Sequence, residues 1–331
     1  MMRRGTRGAI AAAIAATTWA TTAATGGNSP FQEVVAADQP ILWYQFNEAR
    51  GATQTVNHGS LGAAYDGVLV NGVTLGVPTL GGDTGASFDA ALQQYVESLA
   101  VVPASLTGNP TFTAETIVFI DADFPGARAF GYPPFLHWGA PTTGKSVYFS
   151  LYKHTNDRVY AGFYNGGLRS IDTVRTGSFH HIVWTRVGGG GQYDGSIVYV
   201  DGTPIDLEPD TTLPGAPVID VTATTFRVQR ATDSVRYFTG VVDEIVLYDR
   251  VLTPQEVTEH FLAALIPPDC PADFDGDGAV GPADLATLLG AWTGGDPYPN
   301  CPGYVNTDLD QNCHIDPADL AILLSQWGEC P

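Results

Sequence analysis

Two stretches near the end of this 331-residue chain place oxygen-bearing side chains at alternate positions. Asp273, Asp275 and Asp277 hold positions 1, 3 and 5 of the first, with Gly278 at 6 and Asp284 at 12. The second, 35 residues further on, holds Asp308, Asp310, Asn312, Cys313 and Asp319 in those places. Alternate side chains of a tight loop converge on one point, and a hard cation such as Ca²⁺ takes about six to eight oxygens. Position 7, Ala279 and His314, is placed to give a backbone carbonyl. Asp316 occupies position 9 of the second loop, where the first has Gly281. Two Ca²⁺ ions are expected, one in each loop.

The elements that must position these ligands repeat as well. Residues 283–292 answer 318–327, and each stretch carries an apolar stripe at helical spacing: Leu285, Leu288, Leu289, Trp292 and Leu320, Leu323, Leu324, Trp327. Val280 and Ile315, at position 8, are expected to join the loops by a short β-bridge. Prolines 267, 268, 271, 297, 299 and 302 forbid a helix before either loop. A loop with an exiting helix, repeated twice over about the last 60 residues, resembles the dockerin type I repeat. The resemblance implies calcium-dependent folding and a cohesin-like partner. Pro282-Ala283 and Pro317-Ala318 stand where cellulosomal dockerins carry small polar recognition residues, which argues against docking of that kind.

All four cysteines fall in this region: Cys270, Cys301, Cys313 and Cys330. In an exported chain such a set reads as two disulfides. The expected pairing is Cys270–Cys301 with Cys313–Cys330, each bracing one loop-helix unit. The rival pairing, Cys270–Cys330 with Cys301–Cys313, clasps the module's ends. Cys313 stands where the loop's turn favours Gly.

Export is read from the start of the chain. Arg3, Arg4 and Arg7 precede an apolar run and small residues near Ala24, the pattern of a signal peptide over 1–25. A secreted or cell-surface location follows as an expectation. No later stretch is long and apolar enough to span a bilayer. The formal charge is −20, which repels phosphate backbones and excludes nucleic acid as a partner.

Residues 26–38 read as a flexible linker. From there to residue 266, runs rich in Val, Ile, Tyr, Phe and Thr recur between Gly, Asn, Asp and Pro turns, which predicts an all-β sandwich or jelly roll. Thr253, Pro254 and Glu256 open a single closing helix. Five stretches carry a family resemblance: Trp43 to Glu48, Tyr65 to Gly67, Phe179 to Val183, Val198 to Gly202, and Phe238 to Leu252. They resemble laminin-G-like, concanavalin A-type jelly rolls. That implies a β-sandwich over 39–266 which binds glycan or extracellular protein, followed by a small α-helical, dockerin-like domain over 267–331. Glu48 and Asp243, acids near the first and last strands, are candidates for a further structural ion.

Strand alternation adds a candidate sugar site. Tyr148 and Tyr152 fall on one face of their strand, and Tyr160 and Tyr164 on the same face of the next, forming a four-tyrosine ladder. Nothing matches a hydrolase. The only Glu-x-Asp, Glu208-Pro-Asp210, lacks a third acid, and there is no G-x-S-x-G or H-E-x-x-H. The chain reads as a non-catalytic glycan- or matrix-binding protein. The alternatives are a surface-assembly component and a hydrolase or other part of a polysaccharide-degrading system.

Overall fold

The computed structural model describes residues 29–120, 132–152, 157–174, 176–191, 193–215, 217–231, 236–266, 270–275, 279–293, 307–310 and 312–330. The expected signal peptide lies outside them. Two antiparallel sheets pack face to face. One runs Thr203–Ile205, Ser196–Val200, Phe179–Arg186, Phe112–Ile120, Gly240–Tyr248, Thr84–Phe88, Thr74–Pro78, with Leu42–Tyr44 also paired to Gly240–Tyr248. The other runs Leu207–Pro209, Gly166–Ser170, Val159–Phe163, Ser146–Leu151, Pro134–Gly139, Thr225–Val228, Tyr95–Val101, Gly67–Val70, Gln54–Thr55. We call them the eight- and nine-stranded sheets.

Period-two alternation builds the core between them. Phe112, Ala114, Val118, Ile182, Trp184 and Val198 point inward from one sheet, and Trp138, Val147, Phe149, Val159 and Phe226 from the other. Phe112 lies edge-on to Trp138 and Trp184, with centroids 5.3 and 4.8 Å apart. Among the described residues no helix is long and apolar enough to cross a membrane.

Two helices cover the outer face of the eight-stranded sheet. The closing helix, Pro254–Ala264, carries the expected capping box between Thr253 and Glu256. The first helix, α1 (Pro30–Ala37), corrects the reading of 26–38 as a flexible linker. Ser29 and Gln32 form a capping box, Pro30 opens the helix, and Phe31 and Val35 are buried. With α2, the closing helix, α1 shields Trp43, Ile117, Val183, Val246 and Tyr248. Burial of its apolar side therefore holds a helix too short to be stable alone.

A polar network lies beneath these helices. Glu115 on the sheet accepts from His181 Nε2 at 2.6 Å and from His260 Nδ1 at 2.9 Å. His260 Nε2 donates to Asp38 at 3.0 Å, at the end of α1, and Arg250 also donates to Asp38 at 2.7 Å. Glu115, His181 and His260 are all shut away from water. Burial alone would raise the Glu115 carboxyl, but the two imidazoles hold it well below the carboxylate range. Burial would lower His260, yet Glu115 and Asp38 push it up to about 9. Sequence offered no sign of this network, because its members are distant along the chain.

Candidate functional site

The C-terminal module places its two loops in matching geometry. Asp273, Asp275 and Asp284 offer carboxylate oxygens within 4.8 Å of one another, and so do Asp308, Asp310 and Asp319. The position-12 aspartates hold each loop closed. Asp284 accepts from the N–H groups of Phe274, Asp275 and Gly281 at 2.6, 3.2 and 2.7 Å. Asp319 accepts from Leu309, Asp310 and Asp316 at 2.7, 3.3 and 2.8 Å. Asp308 accepts from Asn312 and Cys313 N–H, and Asn312 Oδ1 accepts from His314 N–H. Burial, reinforced by Asp319 and Asp310, raises the Asp308 carboxyl. Hard oxygens crowded in this way are a donor set that suits Ca²⁺. Asp277 lies outside the described residues. Asp316 serves as N-cap of the second helix, accepting from Ala318 N–H at 2.7 Å, and does not join the converging group. The carbonyls of Ala279 and His314 remain candidates only.

Helices α3 (Pro282–Gly290) and α4 (Pro317–Ser325) follow the loops, each with Pro at its first position. The prolines that replace polar recognition residues thus start the helices. Of the expected stripes only Leu288 and Leu323 are fully buried. Leu289, Trp292, Leu324 and Trp327 stay exposed, a matched apolar pair on each repeat. The expected Val280–Ile315 bridge is also corrected. Val280 pairs with Trp327 and Gly328, beyond the second helix, while Ile315 exchanges hydrogen bonds with Thr293, beyond the first. Each loop is held by the tail of the other unit.

That crossing also decides the disulfide. Cys270 is bonded to Cys330, with Cα atoms 5.6 Å apart, so the pairing Cys270–Cys301 with Cys313–Cys330 is overturned. Pairing of Ala279–Val280 with Gly328–Glu329 carries the end of the chain back beside its entry point. Cys313 is itself disulfide-bonded and adopts the left-handed conformation, φ 71°, where Gly is usual. Cys301 lies outside the described residues.

On the nine-stranded sheet the expected hairpin strands do pair, with Tyr160 opposite Ser150 and Gly162 opposite Tyr148. The tyrosines share the outer face, but not as an open ladder. Tyr148, Tyr152 and Tyr160 are 2, 2 and 1% exposed, packed with Tyr132 and Ala231. Tyr160 lies across facing glycines: a Cβ on Gly167 would come within 2.4 Å of its hydroxyl, and one on Gly162 within 2.7 Å. Asp210 anchors the cluster, accepting from the hydroxyls of Tyr132 and Tyr152 and from Thr212. Beside them lies a small cavity lined by Tyr132, Tyr148, Tyr160, Tyr164, Asn165 and Arg236. Arg236 donates to the Tyr148 hydroxyl at 3.1 Å, with its guanidinium over the Tyr132 and Tyr148 rings.

Asp243 meets different partners from those expected. Its carboxylate converges with Asp83 and Glu244, not with Glu48, whose Oε1 accepts from Val56 N–H at 2.7 Å. Gln32 donates to both Asp83 and Glu244 at 2.9 Å, Thr79 donates to Asp243 at 2.6 Å, and Trp43 Nε1 donates to Glu244. No Lys, Arg or His pairs with the three among the described residues. Burial and mutual repulsion push Asp243 and Glu244 well above the carboxylate range, and burial raises Asp83 to about 6.

Ser178 Oγ lies 3.1 Å from His180 Nε2, and His180 Nδ1 lies 2.8 Å from Asp201 Oδ2. The order is that of a serine-nucleophile array. Asp201 Oδ1 is also engaged by His181 N–H at 3.0 Å, tying it to the neighbouring strand. The tyrosine cavity does not include Ser178.

Two antiparallel sheets, with one outer face under helices and the other bearing an aromatic cavity, define a lectin-type sandwich. The chain belongs to the laminin-G family described as the concanavalin A-like lectin/glucanases superfamily, which matches residues 89–258. No curated protein matches it. Among solved structures it is similar to domain 4 of AbnA, a GH43 extracellular arabinanase from Geobacillus stearothermophilus. Identity there is 15%, coverage is 67% of this chain and 98% of that one, and the TM-score is 0.46. It is similar also to Trypanosoma rangeli sialidase: 21% identity, 69% of this chain, 33% of that one, TM-score 0.45. The match therefore spans about a third of the sialidase chain.

Proposed function

We propose that this is an exported, non-catalytic glycan-binding protein whose sandwich holds sugar at the tyrosine cavity and whose C-terminal module is a calcium-stabilised, dockerin-like attachment unit. The observation that carries the binding half is the cavity: tyrosine rings and hydroxyls beside an amide and a guanidinium, in a sandwich of the lectin/glucanases superfamily. Tyr148 and Tyr160 are buried, so the half-buried Tyr164 is the ring that offers a sugar an apolar face and a polar edge.

Engagement of Glu208 and Asp210 supports a non-catalytic role. Glu208 is paired with Arg169 at 2.6 Å, and Asp210 is occupied by two tyrosines and Thr212. Two matched three-carboxylate groups support calcium in the module. Asp273, Asp275 and Asp284 would hold one ion, and Asp308, Asp310 and Asp319 the other. Exposed Leu289, Trp292, Leu324 and Trp327 support attachment to an extracellular protein. A glycan array probed with the calcium-loaded protein, with product analysis of every hit, tests the whole. Bound glycan recovered intact is the expected outcome; cleaved glycan overturns the non-catalytic half.

A further inference from the structure

Two turns meet at the rim of the tyrosine cavity. One is the two-residue turn Tyr164-Asn165, between strands Val159–Phe163 and Gly166–Ser170. The other, residues 140–145, joins Pro134–Gly139 to Ser146–Leu151. Backbone bonds tie them together: Gly144 N–H donates to the Tyr164 carbonyl at 2.9 Å, and Tyr164 N–H to the Ser146 carbonyl at 3.1 Å. Asn165 sits in the left-handed region at φ 67°, which its short side chain tolerates. From there its Nδ2 donates to the Thr143 hydroxyl at 2.8 Å, across the two turns. That bond fixes what the two side chains have left to offer. The Thr143 oxygen is used as an acceptor, so its O–H hydrogen is free to donate. Asn165 Oδ1 is free to accept, and among the described residues nothing else bonds to either side chain. Thr143 is exposed and Tyr164 and Asn165 are half-buried, so all three can be reached from solvent. Lys145, on the same turn as Thr143, is neutralised by Asp220 at 2.5 Å.

We propose that the glycan bound here is neutral and is recognised by two hydroxyls on adjacent carbons, one donating to Asn165 Oδ1 and the other accepting from the Thr143 O–H, with the Tyr164 ring against the neighbouring C–H face. This rests on the sugar-binding reading above and names its ligand class. A vicinal diol sets a donor beside an acceptor. The Asn165–Thr143 pair is the complement, and their mutual bond holds it in place before the sugar arrives. Such preorganisation lowers the entropy cost of binding. A site built to bond two hydroxyls also rejects a sugar that lacks them, because the amide oxygen and the hydroxyl would lose water and gain no partner. Charge favours the same class. The Lys145–Asp220 pair leaves no lone cation on the turn, and a chain of formal charge −20 repels polyanions.

The test uses the full calcium-loaded chain and five polymers: neutral dextran, arabinan, mannan and unsubstituted xylan, with polygalacturonate as the charged comparison. Each neutral polymer is also used in O-methylated form, which keeps the rings and removes the hydroxyl donors without altering the protein. Affinity is measured for the wild type, Asn165→Gly, Thr143→Ala, Tyr164→Ala and Tyr164→Phe, with melting temperatures as folding controls. Glycine suits the left-handed turn, so Asn165→Gly deletes the amide without straining the backbone. The expected result is binding to at least one unmodified neutral polymer, insensitive to salt. Losses of about tenfold are expected on O-methylation, in Asn165→Gly and in Tyr164→Ala, about threefold in Thr143→Ala, and little change in Tyr164→Phe. Binding that Tyr164→Ala weakens but that O-methylation and Asn165→Gly leave unchanged overturns the diol and leaves the sugar site standing. Tighter binding to polygalacturonate overturns the neutral class in the same way. Binding that no variant weakens, or binding to none of the five together with an empty glycan array, overturns both.

Discussion

His260 Nδ1 lies 2.9 and 3.2 Å from the two oxygens of Glu115, a residue 145 positions away, in a space closed to water between sheet and helices. The pair ties α2 to the sheet, and through Asp38 it also ties α1. Its contribution depends on pH in two directions. Glu115 is depressed below its ordinary 4.5, so its share is present above that value and is lost as pH falls through the acid range. His260 is raised from 6.5 to about 9, so its share is complete below 6.5 and is lost as pH rises towards about 9. A melting-temperature profile should therefore fall between 6.5 and about 9, and His260→Gln should flatten that fall while lowering stability at pH 6.

Buried acids without a cation predict the opposite response to charge removal. Asp83, Asp243 and Glu244 repel one another, and burial disfavours their ionised forms. Raised carboxyls bind protons more tightly in the folded state, so their penalty grows as pH rises through about 6 for Asp83. Asp243→Asn keeps the shape and removes one charge. In calcium-free buffer near neutral pH its melting temperature should exceed that of the wild type. A drop of several degrees would show that the three acids are not in conflict.

Calcium should enter two sites in the C-terminal module. Calorimetry on the full chain with Asp308→Ala and Asp310→Ala together should remove one site and leave the other. Asp319→Ala should cost more than a ligand, because three backbone N–H groups lose their acceptor. The loss is at least about 2 kcal/mol of module stability, even without calcium.

The disulfide is directly testable. Non-reducing peptide mapping should recover Cys270 with Cys330. Replacing both by Ser should cost about 2–4 kcal/mol, since the bond closes a long loop of the unfolded chain. A Cys270–Cys301 peptide would refute the crossed arrangement of the module.

Ser178, His180 and Asp201 have the order of a hydrolase triad, but a triad also needs donors for an oxyanion and a pocket for substrate. The non-catalytic reading predicts that a fluorophosphonate probe leaves Ser178 unlabelled at neutral pH. Stoichiometric labelling of that serine would make this an enzyme.

What was legible in the sequence was local or periodic. Alternation in Val147–Tyr152 and Val159–Tyr164 gave the correct faces and pairing, and the 35-residue repeat gave matching loops. What covers a face was not legible. Tyr148 and Tyr160 are enclosed by Tyr132, Leu213 and Ala231, which arrive from separate parts of the chain. The capping box of Ser29 and Gln32 was present but unread, because an eight-residue helix shows too little periodicity to stand out. Asp83 was invisible as a partner of Asp243, since the two meet only when their strands, Thr84–Phe88 and Gly240–Tyr248, pair.

The Cys270–Cys330 bond bears on mechanics. The module begins and ends at points 5.6 Å apart. Tension applied across those two points runs through the sulfur bridge and not through the loops between them. An attachment partner gripping the exposed Leu and Trp side chains pulls on a closed ring whose perimeter cannot be unravelled from either terminus. Load applied there reaches residue 270 along both arms of the ring, one through residues 271–288 and the other through Cys330 and the sulfur bridge. Reduction would open the ring, leaving one arm to carry the whole load and only the pairing with Ala279–Val280 to hold Gly328–Glu329 in place.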